Sequence, residues 1–457
     1  MSDLWGGRFG TGLDEELRRF STSFPVDRRL ARYDVAVSRA HAEALAAAGL
    51  LPEPERTALY EALQLVGRQI DSGEFPPAAD RLDAAMPEDI HSAIEERLVE
   101  LCGDAARRLH AGRSRNDQVV TDVLLWLKDA AAEVDAALRL LARALVDQAE
   151  QHQATLVYAY THLQRAQPVA LAHLLLAHVE ALRRDLERLE AARRRADRSP
   201  LGAGACVGSS LPLDLVAAAR HLGFERVAIH SIDAVADRDW AIEFAGVCAL
   251  VMTHLSRLAE ELVLWSAAEF GLVTLSDAWC TGSSMLPQKR NPDVAELVRG
   301  KTARVHGHLL ALHELLKGLP LAYNRDLQED KAALFDVADT TRDCARVLAG
   351  AVGSARFHPA RAAGPDFASA TDLAEELVRR GVPFRTAHER IGRLVRACEA
   401  AGLGLPQASD ADLAAVGLAD LDRSLLTPAG SVAAKRTLGS THPAEVARAL
   451  DAARSWL

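Results

Sequence analysis

VVTDVLLWLKDAAAEVDAALRLLARALV (119–146) carries the reading of the fold. Its apolar positions Val120, Val123, Leu124, Leu127, Val134, Leu138, Leu141 and Leu145 recur at three- and four-residue steps. That spacing lines them along one stripe of an α-helix. The stretch sits in a gap without proline from Pro87 to Pro168 and without glycine from Gly112 to Gly202. Soluble chains average about 5% proline and about 7% glycine, so gaps of this size mark long helix. The pattern repeats over Leu171, Leu174, Leu175, His178, Leu182, Leu186 and Leu189, and again over Val247, Leu250, Val251, Leu255, Leu258, Leu262 and Trp265. A fourth run follows Asn291-Pro292, from Val294 to Leu316, and stops at Gly318-Leu319-Pro320. Alternating β-type segments are nearly absent.

Rods with such wide apolar stripes need partners, and a bundle is the economical arrangement. Several stripes look too wide for one chain to cover, which predicts oligomerisation. The fold class read here is all-α. The chain has 457 residues, enough for roughly three domains. The expected divisions are an N-terminal helical domain (1–112), a central long-helix domain (113–361) and a small C-terminal helical domain (362–457). Half of the chain (49%) is hydrophobic, 25% is charged, and the net charge is −10. That balance argues against phosphate-driven nucleic-acid binding. The longest apolar run, near residues 244–252, falls short of the roughly 20 residues that span a bilayer. The start lacks a secretory pattern, and the six cysteines are scattered without a CxxC pair. Both predict a reducing, cytoplasmic setting with no membrane partner.

Four polar stretches interrupt the rods. TGSSMLPQKRNPD (281–293) combines a permissive glycine, two serines and a lysine. Asn291 and Pro292 fit the cap and first turn of the next helix, whose free amides favour an anion. A solvated inter-helix loop would read the same way. RSRND (113–117) supplies two arginine forks suited to carboxylates, or simply a basic turn. YTHLQRAQP (160–168) places Thr161 and His162 at a predicted helix-to-helix break, where the histidine either carries a proton or serves structure. YNRDLQEDK (323–331) is dense in hydrogen-bonding groups, and equally reads as an acidic helix start. The chain has no G-x-S-x-G elbow, P-loop, HExxH or dinucleotide fingerprint. The combination suits removal of a proton beside a carboxylate, with fixed cations and amides holding the extra charge.

GSSMLPQKRNP (282–292) resembles the signature segment of the fumarase/aspartase superfamily. HAGRSRNDQ, YTHLQRAQP, SDAWCTGSS, LPLAYNRDLQEDK, FASATDLAEELVRRGVPFR and the opening LWGGRF resemble the argininosuccinate lyase family in particular. The resemblance runs from Leu4 to beyond Arg385. It implies a mostly helical homotetramer of three-domain subunits, with the central helices in one bundle and active sites shared between subunits. It implies reversible cleavage of argininosuccinate to arginine and fumarate in arginine biosynthesis, with no metal and no organic cofactor.

By position, Ser283 matches the family's mobile-loop base. His162 matches its proton-transfer histidine, with Glu296 as partner. Lys289 and Asn291 match groups at the substrate carboxylates. Arg115, Asn116 and Thr161 match fumarate-side binders. Ser23, Asp34, Tyr323, Gln328 and Lys331 match substrate contacts, and His91 matches a further active-site position.

The chain departs from the family at several points. Met285-Leu286 inverts the usual order, and Leu215 and Ser21 replace an arginine and an asparagine. His230 replaces an asparagine and is the change expected to touch substrate, if its segment reaches the site. Ala159 stands where glycine is common; a positive φ there would displace His162. Two rival readings are another lyase of the superfamily and a non-catalytic helical assembly on the same scaffold.

Overall fold

The computed structural model describes residues 12–75, 87–359 and 366–457. The opening motif at 4–9 and the expected boundary at 361/362 lie outside them. The long periodic stretches are helices. In chain order the elements that matter here are α1 (Ala31–Ala47), α2 (Ile90–Cys102), α3 (Arg115–Gln151), β1 (Leu156–Thr161) and β2 (Gln164–Ala170). They continue with α4 (Leu171–Ala196), α5 (Asp239–Ser266), β3 (Thr281–Gly282), β4 (Arg290–Asn291), α6 (Asp293–Leu316), α7 (Asp330–Gly353), α8 (Ala370–Arg379) and α9 (Phe384–Ala400). At 37 residues, α3 is about 55 Å long.

Two findings correct the sequence reading. The break between α3 and α4 that holds Thr161 and His162 is not a simple turn: β1 and β2 form an antiparallel hairpin there, paired from Leu156↔Ala170 to Thr161↔Gln164. The register slips between Ala159 and Tyr160. Asn291 does not cap α6, either; it sits in β4, pairs with Thr281, and the helix opens at Asp293. YNRDLQEDK follows its helical alternative, a 3₁₀ turn over Arg325–Glu329 leading into α7 at Asp330.

The chain divides into two compact units, each assembled from three segments: 1–133, 188–248 and 305–339 in the first, and 134–187, 249–304 and 340–457 in the second. Within the first unit, Trp126 of α3 meets Phe335 of α7 edge-on with ring centroids 4.5 Å apart. The Arg29 guanidinium stacks on both rings and forks onto Asp339 at 2.6 and 2.8 Å. Within the second unit, α4 and α5 are cross-linked by His178–Glu261 (2.7 Å) and His254–Asp185 (2.6 Å). Gln148 Nε2 donates to the carbonyls of Val352 and Ala355 at the end of α7. The C-terminal part has its own apolar cluster, including Leu373, Leu377, Leu394, Leu405 and Leu418.

By length and composition alone, α5 is apolar enough to cross a membrane, which a count of uninterrupted apolar residues passes over. Half of its most apolar window is buried within the protein, with Phe244, Met252 and Leu262 almost inaccessible.

On α7, Gly350 packs so closely on Trp279 that a Cβ there would fall 2.1 Å from the indole. Gly350→Ala is therefore expected to destabilise the second unit by about 1–3 kcal/mol despite alanine's better helix propensity. Thermal melts of the two proteins check this.

Candidate active site

The candidate residues fall into two sets, one in each unit. In the first unit, Ser23, His91, Arg115, Asn116, Tyr323, Gln328 and Lys331 line one cavity of about 400 Å³. Asp34 stands directly behind its wall. Ser23 Oγ donates to Asp27 at 2.5 Å, and the other Asp27 oxygen accepts the Ile90 amide at 3.0 Å, which ties the start of α2 to the cavity rim. Gln328 Nε2 and Arg325 both donate to the carbonyl of Ser21. Lys331 is buried and donates to Asp330 at 2.9 Å, while Arg238 holds the other Asp330 oxygen at 2.5 Å. Two cations on one buried carboxylate leave a net positive wall beside Tyr323, whose hydroxyl burial pushes up.

Beneath the cavity lies a buried charge cluster. His91 Nδ1 is 3.0 Å from Asp34 and 3.3 Å from Asp122. Gln118 also donates to Asp34. Burial alone would lower the imidazole, yet its bonds to Asp122 and Asp34 raise it to about 10. Burial would raise Asp34, but His91, Arg113 and Gln118 hold it well below the ordinary carboxylate range. Burial and the Asp34 charge push Asp122 up to about 8. His91 Nε2, buried and without a protein partner among the described residues, is left available as a donor on the cavity side. The ligand atoms of Asp34, His91 and Asp122 lie within 4.8 Å of one another, a spacing that could hold a metal ion. Here the imidazolium bonds to Asp34 and stands 3.3 Å from Asp122, and Arg113 adds a second positive charge, so two cations already occupy the site and disfavour a third.

Arg115 opens α3. Its guanidinium lines the cavity and contacts Asp89 (3.4 Å), Glu95 (3.6 Å), Gln118 (3.1 Å) and Ser92 (3.4 Å), so each of its three nitrogens has a partner in the protein. Asp27, Asp89 and Glu95 belong to the lining but escaped the sequence reading. Only Asp89 left a local signal, as the cap of α2 accepting the Ser92 amide at 2.6 Å.

The second unit holds Thr161, His162, Ser283, Lys289, Asn291 and Glu296. His162 and Leu163 are the two turn residues of the β1–β2 hairpin, both left-handed at φ +55° and +57°. A two-residue turn of this hand matches strand twist but strains residues that carry a Cβ, and such strain concentrates at functional positions. Ala159 has no positive φ; the family's glycine position is a register slip here, which alanine accommodates. The β3–β4 pair forms a short stem under the exposed loop 283–289. Ser283 Oγ accepts the amides of Met285 (3.2 Å) and Leu286 (3.0 Å). Lys289 is exposed on the same loop. Glu296 is exposed on α6, 3.7 Å from Arg299; among the described residues no hydrogen bond joins it to His162. His230 caps the helix Ser231–Ala236 by accepting the Asp233 amide at 3.4 Å and does not line the cavity.

A general lyase model matches residues 7–307, and a model of the argininosuccinate lyase C-terminal region matches 367–433. The argininosuccinate lyase of Bordetella pertussis is 48% identical over 450 residues, 97% of this chain and 94% of that one. The crystal structure of EDDS lyase in complex with formate superposes with a TM-score of 0.83 at 26% identity, covering 98% of this chain and 90% of that chain. Class II fumarase from Schistosoma mansoni shares the fold at TM-score 0.75 and 16% identity, covering 91% of this chain and 94% of that one. The helical fold and the lyase family model together define a lyase of the fumarase/aspartase superfamily. Within it, the chain belongs to the argininosuccinate lyase family.

Because His91 is raised in the folded state, its contribution to stability is present below its ordinary value near 6.5 and is lost as pH climbs through about 10. The melting temperature of the wild type minus that of His91→Gln should therefore shrink as pH rises from neutral through that range. A difference independent of pH in paired melts contradicts it.

Proposed function

We propose that this protein cleaves argininosuccinate reversibly to arginine and fumarate, as a cytoplasmic homotetramer with active sites shared between subunits and divided at 112/113 and 361/362. The observation that carries the reading is the 48% identity along 97% of the chain to an argininosuccinate lyase, together with the match of residues 367–433 to that family's C-terminal region. The partner is then a small molecule, argininosuccinate, whose succinyl half carries two of its three carboxylates, with no nucleic acid and no membrane. Oligomerisation has support in α6, whose 24 residues bury only Ala295, Val298, Val305 and Leu312 within the chain and leave Leu297 and Leu310 largely exposed.

Ser283 Oγ, as its alkoxide, takes a proton from Cβ, the succinyl carbon next to the one that bears the leaving nitrogen. The electron pair moves into the neighbouring carboxylate as an aci-carboxylate. The pair then returns to form the fumarate double bond as the C–N bond breaks, and the guanidino nitrogen leaves with its electrons. A serine oxygen is a poor base unless its anion is stabilised. The two amides already aimed at Ser283 Oγ supply part of that stabilisation, and Lys289 adds a full charge nearby in sequence. Lys289 and Asn291 hold the developing carboxylate charge, the largest demand of the reaction. His162, with Glu296, carries the second proton. Arg115, Asn116 and Thr161 hold the fumarate half, and Tyr323, Gln328 and Lys331 with Ser23 hold the remainder; Asp34, expected at the substrate, is buried behind the cavity wall and reaches the site only through His91.

Purified enzyme given argininosuccinate should release fumarate, followed by its ultraviolet absorbance, in preference to a panel of other succinyl-amines. A strong preference for another leaving group would replace this substrate. Ser283→Ala should lower kcat by at least about 10³-fold with KM nearly kept, since it removes a transition-state role. Equal loss in Ser284→Ala would move the role to that serine. Lys289→Met should be comparably severe through lost charge stabilisation.

A further inference from the structure

One buried carboxylate is left unused by this mechanism. Asp117, two residues after Arg115 on α3, is inaccessible to solvent. Its Oδ1 accepts the Ser114 amide at 2.9 Å, while Ser114 Oγ accepts the Asn116 amide at 3.3 Å. Those bonds are the reciprocal capping of a helix start, and one carboxylate oxygen suffices for them. The other oxygen, Oδ2, accepts two more amides, Gly202 and Gly204, each at 2.9 Å. Next to it, Asn116 Nδ2 donates to the carbonyl of Ala205 at 3.0 Å.

We propose that Asp117 is a positioning residue for the fumarate half of the substrate, acting by clamping the turn that carries Arg115 and Asn116 onto the glycine loop 202–208. This rests on the reading of the site given above.

Three amides on one buried carboxylate make strong, charge-assisted hydrogen bonds. Burial pushes the Asp117 carboxyl up, and the three amides oppose that. The loop is shaped for the clamp. Gly202 and Gly204 take φ of +99° and +60°, and a Cβ on Gly204 would fall 2.9 Å from the carbonyl oxygen of Gly208. A Cβ on Gly202 would run into Leu215, the residue that stands where the family commonly has arginine. A simple helix cap needs none of this: the second oxygen and both glycines are spent on fixing the backbone from which Arg115 and Asn116 project. Orientation fixed before binding is free energy the substrate does not have to supply.

The test uses the assembled full-length enzyme and two variants that break the clamp from opposite sides. Asp117→Asn turns an amide group toward backbone donors. Gly204→Ala deforms the loop and leaves the carboxylate intact. Inhibition by each product is measured separately. Both variants should show roughly tenfold weaker inhibition by fumarate, with arginine inhibition within about twofold of wild type. Unchanged fumarate inhibition in a folded variant overturns the proposal, as does equal weakening for both products, which signals general loosening. If Asp117→Asn does not fold, Gly204→Ala decides alone. A wild type that releases no fumarate refutes the functional reading; an active wild type with unmoved fumarate inhibition in the variants refutes only the clamp.

Discussion

Charge buried away from water persists only where its counter-charge is held in place. The first unit is organised around that constraint. His91 on α2 stands between Asp34 on α1 and Asp122 on α3, so three helices are bound to one another by a single imidazole. A second cluster, Arg238 and Lys331 on Asp330, does the same for the start of α7. Removing one member strands the others in a low-dielectric interior, so the helices cannot shift independently. The cavity above inherits that rigidity: Arg115 opens α3, Gln328 lies in the 3₁₀ turn that leads into α7, and Ser23 is tied to the start of α2 through Asp27.

The second unit presents its candidate groups differently. His162 sits on the tip of a hairpin, and Ser283 and Lys289 on a loop over a two-rung stem. His162 and Lys289 are exposed and Ser283 is half-buried, on a hairpin tip and a short-stemmed loop, the kind of segment that moves at low cost.

The helices were legible because their apolar residues repeat at one period over many turns and proline is absent from them. The β1–β2 hairpin was not. Its burial does not alternate, since the register slips between Ala159 and Tyr160, and that bulge erases the period of two by which a strand is read. Asn291 misled for a related reason. Asn-Pro is a good helix cap in isolation, but pairing with Thr281 claims the residue for the stem. The positively charged and hydroxyl-bearing site residues stood in dense motifs and could be read. Asp27 and Glu95 could not, because isolated acids on helices look like solvated surface until the helices are packed. The same holds for Asp117: its sequence neighbours announce a helix cap, and only the fold brings a loop 85 residues away onto its second oxygen.

The division of each unit into three separate segments of chain bears on how the protein is made. The first unit draws its last segment from residues 305–339, and the second draws its first from 134–187. A ribosome must therefore add more than 200 residues after Glu133 before the first unit has all its parts, roughly 10–40 s at usual elongation speeds. Throughout that interval the part of α3 that faces α7, Trp126 among it, is on the growing chain before Phe335 has been made. The first unit can therefore close only after most of the chain has been synthesised, whereas α4 and α5 of the second can pair while elongation continues.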